Sequence, residues 1–190
     1  MHSIVEENQI KIETYKNDLY SFATSLVKQV PFGNTGIKIS PIIVGCMSFG
    51  DPKWQPWILE DEEKVFEILK YAYDHGLRTF DTADVYSNGK SERLLGKFLK
   101  KYNIKRETVV IMTKIFSPVD EDMNVNFETM GKGLDTPEGI QLANQRGLSR
   151  KHIIAGVKNS VERLGTYINV LQIHRLDHDT PMKEIMRTLN

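Results

Sequence analysis

From Ile42 to Asn190 the chain alternates short β-branched runs with amphipathic helical segments four times, and that alternation leaves few folds open. A strand that enters a helix and returns as a strand must cross over, so successive strands lie parallel and helices cover the sheet. Ile42-Ile43-Val44-Gly45 is the first run, of the kind buried on both faces. After an acidic start at Glu60 to Glu63, Val65, Phe66, Leu69, Ala72 and Tyr73 recur at helical spacing, and Gly76 is placed to end that helix. Thr79-Phe80-Asp81 predicts a second strand, Leu94, Leu95, Phe98 and Leu99 a second helix, and Val109-Val110-Ile111-Met112 a third strand. Ser117 to Gly147 is a polar, glycine-dotted loop, long enough to be functional or mobile. Ser149 then caps a helix with Ile153, Val157, Val161 and Leu164 as its apolar positions. Val170-Leu171-Gln172-Ile173 predicts the fourth strand, and Thr180-Pro181 opens a helix with Met182, Ile185, Met186 and Leu189 on one side.

Two α/β architectures carry such an alternation, an open doubly wound sheet and a (β/α)8 barrel. Each unit takes about 37 residues, so eight would need about 300, within the range of barrels with insertions. On that spacing the chain holds about the first four βα units, and the reading is a C-terminally incomplete barrel. The open sheet ranks second, because no G-x-G-x-x-G follows the first strand or stands anywhere else. Ahead of Ile42, Leu26 to Val30 and Ile37 to Ile39 flank Gly33-Asn34-Thr35-Gly36, which predicts a hairpin. Residues 1–25 are read as an extension of unassigned role, and residues 26–190 as one domain.

Charge narrows the partners. Lys+Arg and Asp+Glu number 25 each, so no basic excess draws the chain to nucleic acid or to an anionic membrane. Glu6, Glu7, Glu13 and Asp18 interrupt the first thirty residues, which hold no apolar run of signal-peptide or membrane-span length. A single cysteine, Cys46, allows no internal disulfide and no zinc-finger framework, and the expectation is a cytoplasmic protein.

Polar residues gather where the predicted strands end, which in a barrel is the catalytic rim. Asp81, Asp84 and Tyr86 lie at or just after the second strand, Lys114 behind the third and His174 behind the fourth. Taken singly, a lysine or a histidine at such a place is as readily a solvated end or a hydrogen-bonded core group. Together they make a proton donor: an ammonium turns a phenol into a better acid, a carboxylate holds the ammonium, and a neutral imidazole orients a substrate oxygen. Such a set protonates a carbonyl oxygen but has no electrons to give, so hydride must come from a cofactor such as a nicotinamide.

Phe80-Asp81-Thr82-Ala83-Asp84-Val85-Tyr86, Ser91-Glu92-Arg93-Leu94-Leu95-Gly96, Met112-Thr113-Lys114 and Gln172-Ile173-His174-Arg175 resemble, in order and spacing, the aldo-keto reductase family. From about Leu26 onward the chain is similar to fungal aryl-alcohol dehydrogenase-like members. The resemblance implies a (β/α)8 barrel plugged at its bottom by the N-terminal hairpin, and NADP(H) bound without a Rossmann motif. It implies Tyr86 as proton donor, Lys114 as the cation beside it, Asp81 as the partner of that lysine and His174 as the carbonyl-orienting group. By the same resemblance Gly45, Cys46, Met47 and Asp81 touch the cofactor, and Trp54 and Trp57, in the loop after the first strand, offer an aromatic wall to an aryl aldehyde or ketone substrate. Ser87 stands where many relatives have glycine, a departure that bears on loop conformation.

Three alternatives remain beside this reading. A non-catalytic half-barrel would bind a partner through its open strand edges or be a pseudogene product. A metal-dependent hydrolase would use Asp81, Asp84, His174 and His178, although no H-x-H or H-E-x-x-H spacing is present and no metal is expected. Cys46 is a small buried hydrophobe in the main reading and a redox-sensing thiol in the alternative one.

Overall fold

Asp61 opens the first long helix, α1 (Glu62–Asp74), by accepting the backbone N–H groups of Glu63 and Lys64 on its carboxylate. Val65, Phe66 and Leu69 form its buried stripe. This helix belongs to a computed structural model that describes residues 26–122, 133 and 135–190, so the N-terminal extension lies outside the described residues. Ahead of it, β1 (Val30–Pro31) and β2 (Lys38–Ile39) pair antiparallel across the expected turn, with Val30 opposite Ile39. The hairpin is shorter than the sequence implies: Leu26 lies outside β1 and is exposed.

Four parallel strands follow: β3 (Val44–Gly45), β4 (Thr79–Asp81), β5 (Val110–Ile115) and β6 (Val170–Ile173). They are hydrogen-bonded in chain order, β3-β4-β5-β6. A doubly wound sheet reverses its order at a switch point, whereas a barrel adds each strand beside the last, so this order favours the barrel. The hairpin sits at the foot of the sheet. There the Ser40 N–H donates to Thr79 Oγ1 (3.0 Å), Ser40 Oγ accepts the Arg78 N–H (2.6 Å), and Gln29 Nε2 donates to the Gly76 carbonyl (2.9 Å). Thr79 begins β4 and Asp81 ends it, so the opposite end of the sheet is open for the polar rim.

Helix α2 (Lys90–Lys101) lies against α1, and the main core forms where both meet the sheet, around Phe66, Leu69, Phe80, Leu95, Phe98 and Ile111. Phe80 and Phe98 are fully buried with ring centroids 6.0 Å apart. Each such side chain contributes roughly 1.5–3 kcal/mol through burial. Helices α3 (Pro137–Leu142), α4 (Arg150–Leu164) and α5 (Met182–Leu189) complete the described chain. The long loop read over Ser117 to Gly147 therefore carries a short helix, capped by Thr136 Oγ1, which accepts the Gly139 N–H.

Several sequence-based expectations need correction. Ile42 and Ile43 are exposed and precede β3, because β3 has β4 as its one partner among the described residues and the sheet does not cover its outer side. Strand β5 runs past Met112 to Ile115, so Lys114 lies within the strand and not behind it; pairing with β6, Lys114 opposite Gln172, keeps those residues extended. In α4 the buried side is Ile153, Gly156, Ser160, Arg163 and Leu164, while Val161 is exposed. The α2 surface offers Glu92 there, so an arginine outcompetes a valine for the contact. Of the α5 stripe only Ile185 is buried; Met182, Met186 and Leu189 face outward.

Candidate active site

Strand register explains why residues far apart in sequence meet. Asp81 lies opposite Met112 on β5, and Lys114, two residues on, rises on the same face as Met112. Gln172 lies opposite Lys114 on β6. As a result Lys114 Nζ donates to Asp81 Oδ2 (2.5 Å), to the Thr82 carbonyl (2.8 Å) and to Tyr86 Oη (3.1 Å). Gln172 Nε2 donates to the other carboxylate oxygen of Asp81 (2.8 Å), so that carboxylate is held from two strands.

Tyr86 arrives in the turn after β4. The Tyr86 N–H donates to the Ala83 carbonyl (3.2 Å) and the Asp84 N–H to the Lys114 carbonyl (3.1 Å), which ties the turn to β5. His174 continues the ladder one residue beyond β6, its N–H donating to the Ile115 carbonyl (3.0 Å). Its ring stands edge-on to Tyr86, 5.8 Å between centroids and 83° between planes. Burial, then the charges of Lys114 and Arg175, hold the His174 pKa below the usual imidazole value, against a smaller opposing pull from Asp81. The imidazole is therefore neutral at neutral pH, and its Nδ1 is buried with no hydrogen-bond partner among the described residues. Asp81, Tyr86, Lys114 and His174 thus share one small rim.

The remaining candidates divide. Gly45, paired with Asp81, is exposed, and a Cβ placed there would meet nothing within 4 Å. Met47 is half-buried and packs against the cluster of Trp54, Ile58, Ala83, Val85 and Tyr86. Cys46 turns into the main core; burial pushes its thiol up to about 12, with Asp81 adding to the rise and Lys114 opposing it. At neutral pH that thiol is protonated and enclosed, so the redox-sensor alternative has no thiolate to use. The backbone of Cys46 still shapes the rim, donating N–H to the Asp81 carbonyl (2.8 Å) and accepting Ser91 Oγ (2.8 Å). Trp54 is buried with its ring 6.1 Å from Tyr86, whereas Trp57 is half-exposed and stands edge-on to Trp54, 6.4 Å away.

Asp84 does not face the rim. Its carboxylate is buried, both oxygens lack a hydrogen-bond partner among the described residues, and it lies beside the Glu92–Arg163 ion pair. His178 is exposed, and among the described residues no group of three or more His, Cys, Asp or Glu is placed to hold a metal ion. The hydrolase alternative therefore lacks its ligand set. Burial, reinforced by Glu92 and only partly offset by Arg163, raises the Asp84 pKa well above its ordinary 3.8. Above about 3.8 the unfolded chain releases a proton that the folded chain keeps, so stability is lost as pH rises toward the folded value. Asp84→Asn is expected to lose less stability than the parent between pH 4 and pH 8, because the amide has no proton to release. Urea denaturation at both pH values checks this.

Sequence alone gives Gln172 no role of its own, although it stands two residues before His174 and so shares its face. The Glu92–Arg163 pair left no such local signal, since the partners are 71 positions apart.

Comparisons with known proteins identify the family. The Saccharomyces cerevisiae protein named "Putative aryl-alcohol dehydrogenase AAD16" is 65% identical over 167 residues, covering 87% of this chain and 47% of that protein. Versiconal hemiacetal acetate reductase of Aspergillus parasiticus is 54% identical over 158 residues, covering 83% of this chain and 45% of the reductase. Among solved structures, the holo form of the aldo-keto reductase AKR11C1 from Bacillus halodurans superposes with a TM-score of 0.63 at 26% identity, covering 85% of this chain and 45% of that one. The chain thus spans about half the length of the curated relatives it matches, and its four βα units and hairpin are those of a (β/α)8 barrel. Residues 41–190 match the model of the aldo/keto reductase family, and with the strand order and the rim just described, the chain belongs to that family of oxidoreductases.

Proposed function

We propose that this sequence carries the proton-transfer half of an NADPH-dependent reductase that converts aldehydes or ketones, aryl aldehydes among them, to alcohols. The observation that carries the reading is the phenol of Tyr86 placed 3.1 Å from an ammonium that Asp81 and the Thr82 carbonyl hold in place. A positive charge at that distance favours the negative charge the phenolic oxygen develops as its proton leaves. His174, neutral, orients the substrate oxygen toward Tyr86 Oη, and the carbonyl oxygen takes the proton there.

A reduced nicotinamide, when bound, supplies the hydride that the carbonyl carbon receives. Gly45 and Met47 would border it, with Asp81 and the backbone of Cys46 beneath. The open space over Gly45 supports that placement, since a flat ring can approach the strand end unhindered by the chain. The groups of a barrel that bind phosphate come after its seventh and eighth strands, beyond the four units described. Trp54 beside Tyr86 and the name of the yeast relative both favour an aromatic substrate. A cytoplasmic protein is the matching location, given one enclosed cysteine and no helix among the described residues long and apolar enough to cross a membrane.

One observation favours a second reading, a non-catalytic half-barrel that binds a partner: Ile173, Met182, Met186 and Leu189 are exposed on β6 and α5. A single assay separates the two. Purified protein with NADPH and a benzaldehyde is expected to oxidise the nicotinamide and yield the benzyl alcohol; tight, saturable NADPH binding without alcohol, or no binding, favours the partner-binding reading.

A further inference from the structure

The turn that carries Tyr86 is built against the preferences of its residues. Ser87 (φ 49°, ψ 41°) and Asn88 (φ 51°, ψ 45°) both adopt the left-handed conformation and Gly89 (φ 87°) follows them. Asparagine and glycine accept that region readily, whereas serine does so less, and it persists only where surrounding contacts hold it. Ser87 is buried, and its Oγ accepts the backbone N–H of Asp51 (3.1 Å) from the loop between β3 and α1. That approach requires a glycine on the other side. Gly50 has φ 150°, and a Cβ there would lie 2.2 Å from Ser87 Oγ and 2.3 Å from Ser87 Cβ.

Asp51 relays the contact onward. Its carboxylate pairs with Lys90, at the start of α2, and accepts the Lys53 N–H (2.9 Å), while its carbonyl accepts the Trp54 N–H (3.0 Å). Asp51 thus starts the turn that aims Trp54 at Tyr86, and the path from Ser87 through Asp51 and Trp54 closes on the residue next to Ser87. A glycine at position 87 would relieve the backbone but leave the Asp51 amide without its acceptor.

We propose that Ser87 is a positioning residue: its hydroxyl, paired with the missing side chain of Gly50, latches the β3–α1 loop onto the tyrosine turn and so sets the aromatic wall of the carbonyl pocket. The latch stands on geometry alone; its effect on substrate choice rests on the reductase reading above.

The test uses Ser87→Gly, which suits the observed φ and folds without strain, Ser87→Ala, which keeps the backbone constraint but lacks the oxygen, and Gly50→Ala, which forces the loops apart. In all three the Asp51 amide is expected to exchange with solvent at least about tenfold faster, and Trp54 to become more accessible to a collisional quencher, while amides of β5 are unchanged. In protein that reduces aldehydes, KM for an aryl aldehyde is expected to rise about tenfold with kcat held within about twofold, the mark of weakened contact with the aromatic wall in substrate and transition state alike. Exchange and quenching equal to the parent in Ser87→Gly and Ser87→Ala overturn the latch whether or not carbonyl reduction is seen. Faster exchange in protein that reduces no aldehyde upholds the latch and overturns only the reductase reading. Faster exchange with KM unmoved removes the pocket role.

Discussion

Tyr86→Phe is expected to reduce carbonyl turnover by about 10²–10⁴-fold, the range ascribed to a positioned general acid, while leaving the fold intact. The two outcomes separate because the ring and the hydroxyl have different partners. The ring is held by Trp54 at 6.1 Å and His174 at 5.8 Å, with Lys114 Nζ 4.8 Å from its centroid, and phenylalanine keeps all three contacts. The hydroxyl is hydrogen-bonded by Lys114, and that ammonium retains Asp81 and the Thr82 carbonyl when the hydroxyl goes. Loss of one hydrogen bond with both other partners kept is expected to cost about 1 kcal/mol or less in stability. Steady-state oxidation of NADPH with an aryl aldehyde, beside thermal unfolding of the same samples, measures both. Turnover in the phenylalanine variant within a few-fold of the parent would remove Tyr86 as the proton donor and with it the proposed chemistry.

Arg163→Met is expected to be the most damaging change to stability, at about 3–5 kcal/mol. Arg163 Nε donates to Glu92 Oε2 (2.6 Å), and Glu92 is fully buried with the Thr113 hydroxyl as its other partner (2.6 Å). Removing the guanidinium leaves the Glu92 carboxylate in the core without the cation that balances it, beside the buried side chain of Asp84. The pair joins α2, α4 and β5 under the tyrosine turn, so its loss also loosens the floor of the site. Urea denaturation of Arg163→Met, Glu92→Gln and the double variant checks the argument. The double variant is expected to recover a large part of the loss, because no uncompensated charge remains; costs that simply add would show that the two side chains act by packing and not as a pair.

How far the sequence alone reaches is visible element by element. Strands β4 and β6 and the core of α1 and α2 match their expected bounds, since each depends on a local period of two or 3.6 residues. Strand β3 is shorter than its β-branched run and β5 longer, because a strand extends as far as its neighbours pair with it, and neighbours are not local information. Hydrophobicity alone turns the face of α4 toward Val161; the buried arginine wins that side through Glu92.

The site divides along the same line. Chain order and residue type make Asp81, Tyr86, Lys114 and His174 candidates behind three predicted strands, although Lys114 lies inside β5. What they do as a unit depends on contacts spanning 33 positions from Lys114 to Asp81 and 91 from Gln172 to Asp81. Periodicity and turn chemistry act between residues a few positions apart and so are written in the chain itself. Which buried charge finds a counter-charge, which thiol turns inward and which serine is held in a left-handed turn are settled only when the sheet closes those distances, because desolvation and Coulomb terms depend on separation in space.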